Sequence, residues 1–150
     1  MKSMLSRIAA VTAALLWAAA LCAHAQHTPE NLSGVTIVRA DDVQKLMQAG
    51  VPVIDTRVAN EFAEEHIKGA RSVPYKEKSA KATDFDSGKD SFDLSKLPAD
   101  KGAPIVFYCN AGECWKSYKA SVVASRSGYS RISWFRGGMP EWKAKKLPVE

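Results

Sequence analysis

The sequence predicts an α/β domain in which a parallel sheet is covered by helices on both faces. Short apolar runs suited to buried strands recur at residues 36–38, 53–54 and 104–108. Segments with helical spacing lie between or after them, around Val43, Leu46 and Met47 and over residues 117–127. The connections joining strand to helix to strand are short, which favours parallel strands linked by right-handed crossovers. In an open sheet of this kind the ligand-bearing loops sit at strand C-termini, where Asp55 and Cys109 fall.

The elements follow in order. Lys2 and Arg7 precede an apolar run over 8–21 and then Ala23-His24-Ala25, so residues 1–25 are expected to be a secretory signal peptide. The run is short for a membrane span and is followed by a cleavage signal, so no stable membrane association is expected afterwards. Cys22 should leave with the signal, because Leu21 before it fits a lipoprotein cleavage site badly. A small Ala-rich signal points to a bacterial periplasm, where nearby thiols can pair. Residues 26–34 are polar, with Pro29 and Gly34, and read as a flexible leader. Residues 35–150 then have the size of one domain.

Asp41 or Asp42 can cap the first helix, which Gly50 stops with Pro52 just beyond. Residues 76–101 are rich in Lys, Asp, Ser and Gly, with Phe85, Phe92, Leu94 and Leu97 as anchors. An excursion of that length is either a functional lid or a variable insertion. A last strand over 131–134 leads through Arg136-Gly137-Gly138-Met139-Pro140-Glu141-Trp142 into a final helix.

The formal net charge of +5 includes Lys2 and Arg7 of the N-terminal segment. The remainder is too mild, and its basic residues too scattered, to indicate nucleic acid. Lys143, Lys145 and Lys146 are the one cluster, read as a solvated helix face.

The segment Val106-Phe-Tyr-Cys-Asn-Ala-Gly-Glu-Cys-Trp-Lys-Ser117 places Cys109 where a strand runs into a helix. Such a loop aims backbone N–H groups and the positive end of a helix dipole at one point, which favours an anion. A thiolate or persulfide on Cys109 is such an anion, and the site should lower its thiol pKa. Gly112 suits a backbone that closes tightly. The alternative is a buried structural cysteine.

Three segments together resemble the rhodanese-like domain. They are Val53-Ile-Asp-Thr-Arg-Val-Ala-Asn-Glu-Phe-Ala-Glu-Glu-His-Ile-Lys-Gly-Ala-Arg-Ser-Val-Pro74, the loop opened by Cys109 with Gly112 three residues on, and Trp134-Phe-Arg-Gly-Gly-Met-Pro-Glu-Trp142. The resemblance implies five parallel strands flanked by helices, and a cysteine that carries sulfur as a persulfide; Cys109 takes that role. Its thiolate attacks the outer sulfur of a donor such as thiosulfate, expels sulfite, and later hands the sulfur to a nucleophile such as a thiol. Asn110, Ala111, Gly112, Glu113, Trp115 and Lys116 are the candidate substrate-binding residues of the loop. Asp55, Arg57, Glu61 and His66 match family positions read as structural supports beside it.

The chain departs from the family pattern at the fifth position after the cysteine, where many active sulfurtransferases carry a basic residue and this chain has Cys114. Lys116 could supply charge instead, though less rigidly than a guanidinium. Trp115 either walls the pocket or anchors the helix to the core. Cys114 has two readings as well. It is a resolving thiol that forms a disulfide with Cys109, provided the Cα atoms approach within roughly 7 Å, or it packs under Trp115.

Three functions remain open: sulfur transfer or carriage through Cys109, dithiol-disulfide exchange through Cys109 and Cys114, and non-catalytic binding of an anion or partner in the same cradle. The expected partner is a small sulfur-containing anion or a protein thiol, and the chain is expected to be a monomer. Neither metal nor cofactor is expected, because Cys109, Cys114 and His66 lack structural-zinc spacing.

Overall fold

The computed structural model describes residues 27–150; the expected signal peptide lies outside the described residues. Five strands form one parallel sheet: β1 (Thr36–Ile37), β2 (Val53–Asp55), β3 (Arg71–Ser72), β4 (Ile105–Tyr108) and β5 (Ile132–Phe135). Their spatial order is β1-β5-β4-β2-β3, so β4 is central. Three α-helices lie between strands, α1 (Ala40–Gln48), α2 (Ala59–Glu64) and α3 (Trp115–Arg126), and α4 (Gly138–Ala144) follows β5.

Alternation along β4 divides the core, as a strand buried on both faces requires. Val106 and Tyr108 face a cluster with Val38, Val43, Ile67, Phe135, Met139 and Trp142, which places α1 and α4 on that side. Ile105 and Phe107 face Ile54, Val73, Ala120, Ala124 and Ile132, which places α3 on the other. Trp134 extends the α3 side into a group with Phe85, Trp115 and Tyr118.

The first helix begins at Ala40, two residues earlier than an Asp41 cap would require and three earlier than an Asp42 cap. Arg39 is its N-cap. The Arg39 N–H donates to Asp42 Oδ2 at 3.1 Å, and both acids lie in the first turn, where carboxylates suit the positive helix end. The helix after the cysteine loop starts at Trp115, before the expected 117, with Cys114 as its N-cap. β3 and α2 carry too little apolar pattern to be read from residue spacing; β3 shows only an exposed and a half-buried residue.

The 76–101 excursion is folded onto α3. Lys76 and Ser91 exchange backbone bonds of 2.9 and 3.0 Å. Asp90 accepts from the Lys78 and Ser79 amides, each at 2.7 Å, from Ser79 Oγ at 2.6 Å and from Tyr75 Oη at 2.8 Å. The cation of Lys119, fully buried on α3, reaches Glu77 Oε2 at 2.8 Å and Ser79 Oγ at 2.8 Å. A buried lysine needs such partners.

Residues 27–34, expected as a flexible leader, are instead tied to the cysteine loop. Thr28 is buried, and its N–H and hydroxyl both donate to the Gly112 carbonyl, at 2.7 and 2.9 Å. The lysine cluster is likewise paired rather than simply solvated: Lys143 meets Glu65 and Lys145 meets Asp41.

Candidate active site

Cys109 follows directly on β4, at the centre of the sheet and at its C-terminal edge. The loop then makes a short 3-10 turn at Ala111–Glu113 before entering α3. Ala111 adopts φ +53°, and the Cys114 amide donates to the Ala111 carbonyl at 3.2 Å. Among the described residues the amides of Asn110, Ala111 and Gly112 make no backbone hydrogen bond outside the loop's own turn. Free amides beside the N-terminus of a twelve-residue helix form a setting for negative charge.

Cys109 and Cys114 are joined by a disulfide, with Cα atoms 6.3 Å apart. Pairing replaces the packing of Cys114 under Trp115. Trp115 itself is 3 % exposed and meets Tyr118 edge-on at 5.2 Å within the Trp134 and Phe85 group, so it anchors α3 to the core. Glu113, expected in the substrate set, points outward and pairs with His27 at 3.4 Å. Lys116 is half-buried in the first turn of α3.

Sequence reasoning missed Ser117. It is buried, and its Oγ lies 3.1 Å from Cys109 Sγ and 2.9 Å from Trp134 Nε1. The indole can only donate and a disulfide sulfur carries no proton, so the Ser117 hydroxyl accepts from Trp134 and donates to Cys109. No motif marks this serine; only the helical rise from the loop brings it under the sulfur.

The segment from Trp134 to Trp142 braces the loop. The Met139 amide donates to the Cys109 carbonyl at 3.0 Å. Gly138 adopts φ +54°, and a Cβ there would stand 2.0 Å from the Cys109 carbonyl oxygen. Only glycine allows that approach. Arg136 supports the outer side: its Nε and Nη2 donate to the carbonyls of Pro29 and Thr28, at 3.0 and 2.8 Å.

Asp55 and Arg57 form a buried pair at the end of β2. The Asp55 carboxylate accepts from Arg57 Nε at 3.0 Å, Arg57 Nη2 at 2.7 Å, the Arg57 amide at 2.9 Å and Tyr108 Oη at 2.6 Å. Arg57 Nη2 also donates to the Glu65 carbonyl at 2.7 Å. Burial, together with the Asp55 charge and bond, pushes the Tyr108 phenol far above its usual range, so it stays a neutral donor. Burial opposes the charge on Arg57, but the bond to Asp55 and its charge outweigh it and raise the guanidinium pKa. Because Tyr108 precedes Cys109, this network fixes where the loop begins.

Glu61 accepts from Asn110 Nδ2 and holds the second loop residue to α2. His66 stacks on Phe62 with centroids 3.6 Å apart, donates from Nδ1 to the Phe62 carbonyl, and turns Nε2 toward Glu150 at 3.4 Å. It does not reach the sulfurs. Beside the loop, Arg57, Glu65, Asn110, Met139, Pro140 and Lys143 line a cleft of about 420 Å³. Among the described residues no cluster of acids, cysteines and histidines is suited to a metal ion, and no helix is long and apolar enough to cross a membrane.

Comparison with known proteins matches the rhodanese-like domain family over residues 39–145. The chain is 28% identical over 125 residues to the thiosulfate:glutathione sulfurtransferase of Saccharomyces cerevisiae, covering 75% of this chain and 81% of the relative. It is 29% identical over 79 residues to the thiosulfate sulfurtransferase PspE of Escherichia coli, covering 53% and 62%. A Bacillus halodurans protein of known crystal structure is similar in fold, with a TM-score of 0.57 at 23% identity over 77% of this chain and 76% of that one.

Proposed function

Because this chain belongs to the rhodanese-like domain family, and its named relatives are sulfurtransferases, we propose that it transfers sulfur as a persulfide carried on Cys109. The observation that carries this reading is the position of Cys109, on the central strand's C-terminal edge and at the start of the loop that turns into the N-terminus of α3. That setting stabilises a thiolate and the persulfide anion that replaces it.

In the reduced protein, the Cys109 thiolate attacks the outer sulfur of a thiosulfate-type donor. The donor's S–S bond breaks and sulfite leaves with its electron pair. An acceptor thiolate then attacks the outer persulfide sulfur and regenerates Cys109 as thiolate. The cleft beside Asn110, lined by Arg57, Glu65 and Lys143 among others, adjoins the loop and is the approach we assign to these reactants. The names of the relatives support thiosulfate as donor and a thiol as acceptor.

The disulfide favours a second reading, dithiol-disulfide exchange through Cys109 and Cys114. The two join if Cys114 closes the loop when sulfur is absent, because Cys109 must then be reduced before it loads. The signal-like N-terminus would deliver the protein to the periplasm, where such closure is supported.

The test is the intact mass of reduced protein after thiosulfate treatment, beside Cys109→Ser and Cys114→Ser, with no reductant during measurement. A gain of one sulfur that needs Cys109 and survives Cys114→Ser supports the proposal. No gain, with loss of two hydrogens in the wild type, favours exchange alone.

A further inference from the structure

The two sulfurs of the loop disulfide are chemically unequal. Cys109 is 1 % exposed, whereas Cys114 is half-buried at the mouth of α3. Cys114 is therefore the more accessible of the two cysteines to an external thiolate. The leaving sulfur matters equally, since the lower its thiol pKa the faster it departs.

Cys109 Sγ receives the Ser117 hydroxyl at 3.1 Å, and the bond from Trp134 Nε1 holds that hydroxyl in place by occupying its acceptor side. Among the described residues, the other polar atom bonded to Cys109 Sγ is the Cys114 carbonyl at 3.2 Å, an acceptor that can only oppose a negative sulfur. The Ser117 hydroxyl is then the side chain that stabilises one. Cys114, although it is the N-cap of α3, makes no side-chain capping bond.

We propose that Ser117 fixes the direction in which this disulfide opens: an external thiol attaches to Cys114, and Cys109 leaves as a thiolate held by the Ser117 hydroxyl. The attacking thiolate forms a bond to Cys114 Sγ, the Cys109–Cys114 bond breaks, and its electron pair goes to Cys109. Ser117 keeps its proton throughout. A second thiolate then attacks the external sulfur on Cys114, releasing the oxidised external pair and a Cys114 thiolate. Two external thiols are oxidised and the protein disulfide is reduced. The partner is thus a small thiol or a protein dithiol that addresses Cys114, and the direction holds whether or not Cys109 later accepts sulfur.

The experiment exposes the oxidised protein to limiting glutathione, quenches in acid, caps free thiols with N-ethylmaleimide, and locates each adduct by tandem mass spectrometry. The expected result is glutathione on Cys114 and the maleimide on Cys109. Glutathione found chiefly on Cys109 overturns the proposal. The rate of opening is read in parallel for Ser117→Ala and Ser117→Thr. Loss of the hydroxyl should slow opening about threefold or more, as expected for a leaving thiol whose pKa rises by about one unit, and threonine should restore it. Opening of Ser117→Ala at the wild-type rate overturns the role given to Ser117. Should Ser117→Ala fail to fold, the adduct position in the wild type still decides the direction.

Discussion

Replacing Gly138 by alanine should disable the cysteine loop from outside it. The added Cβ would lie 2.0 Å from the Cys109 carbonyl oxygen and 2.9 Å from the Ala111 nitrogen. Ordinary carbon–oxygen contacts are about 3.3 Å or longer, so the two backbones must separate by more than about 1 Å. That separation breaks the bond from the Met139 amide to the Cys109 carbonyl, at about 1 kcal/mol. The φ of +54° adds about 1 kcal/mol for any residue with a Cβ. Forced repacking adds about 1–3 kcal/mol. The expected destabilisation is therefore about 3–5 kcal/mol. Gly50→Ala is the control, because Gly50 has φ +82° but no atom within 4 Å of the new Cβ, so it carries only the backbone cost of about 1 kcal/mol. Urea unfolding of both variants measures the difference, and sulfur loading from thiosulfate should fall only in Gly138→Ala. Equal unfolding midpoints for the two variants would refute the claim that close backbone approach holds the loop.

Removal of the Arg57 cation by Arg57→Met should cost about 3–5 kcal/mol, since the Asp55 carboxylate is fully buried and loses its counter-ion; the double variant with Asp55→Asn should recover part of that loss in urea unfolding, and a single variant within about 1 kcal/mol of wild type would contradict it. Trp115→Ala should cost about 3 kcal/mol or more as a core cavity while leaving the KM for thiosulfate unchanged, whereas a raised KM would return Trp115 to the substrate pocket. Asp90 predicts the acid limb of stability. Burial acts to raise its pKa, but the Ser79 hydroxyl, the Lys78 and Ser79 amides and Tyr75 outweigh it and lower the value from 3.8 to about 2. A depressed carboxylate stabilises the fold above 3.8 and loses that contribution as pH falls toward about 2. The amount is at most about 2 kcal/mol, and Asp90→Asn should flatten thermal stability between those pH values; an unchanged acid limb would show that Asp90 is not the group responsible.

The parallel sheet was legible because β2 and β4 are short and wholly apolar until their last residues, with helical spacing before β2 and after β4. Cys109 was legible for the same reason, as the residue where β4 ends. What escaped was every contact made across long sequence distances. Ser117 is an ordinary helix residue until the Trp134 indole is brought against it. Thr28 sits in a polar stretch that composition reads as a leader, yet its bonds reach Gly112, a partner set by the tertiary fold. Lys119 looks like part of an exposed helix face, and only the returning 76–101 segment supplies the acids that allow its burial. Trp115 could be weighed for either role from its size, and the aromatic group on the α3 side decides for the core.

These long-range contacts bear on what reduction does to the loop. A disulfide closing so short a loop contributes roughly 2 kcal/mol in the chain-entropy picture. The loop backbone is held independently by Met139 on the Cys109 carbonyl, Thr28 on the Gly112 carbonyl, Glu61 on Asn110, and the Cys114 amide on the Ala111 carbonyl. At about 1 kcal/mol each, these bonds together exceed the disulfide's share. On the proposed reading, opening the disulfide leaves the loop in place and frees Cys109 as a thiolate beside the Ser117 hydroxyl, with Cys114 no longer bonded to it. A loop braced from α2, from the 27–34 segment and from the Gly138 turn does not depend on the disulfide for its shape.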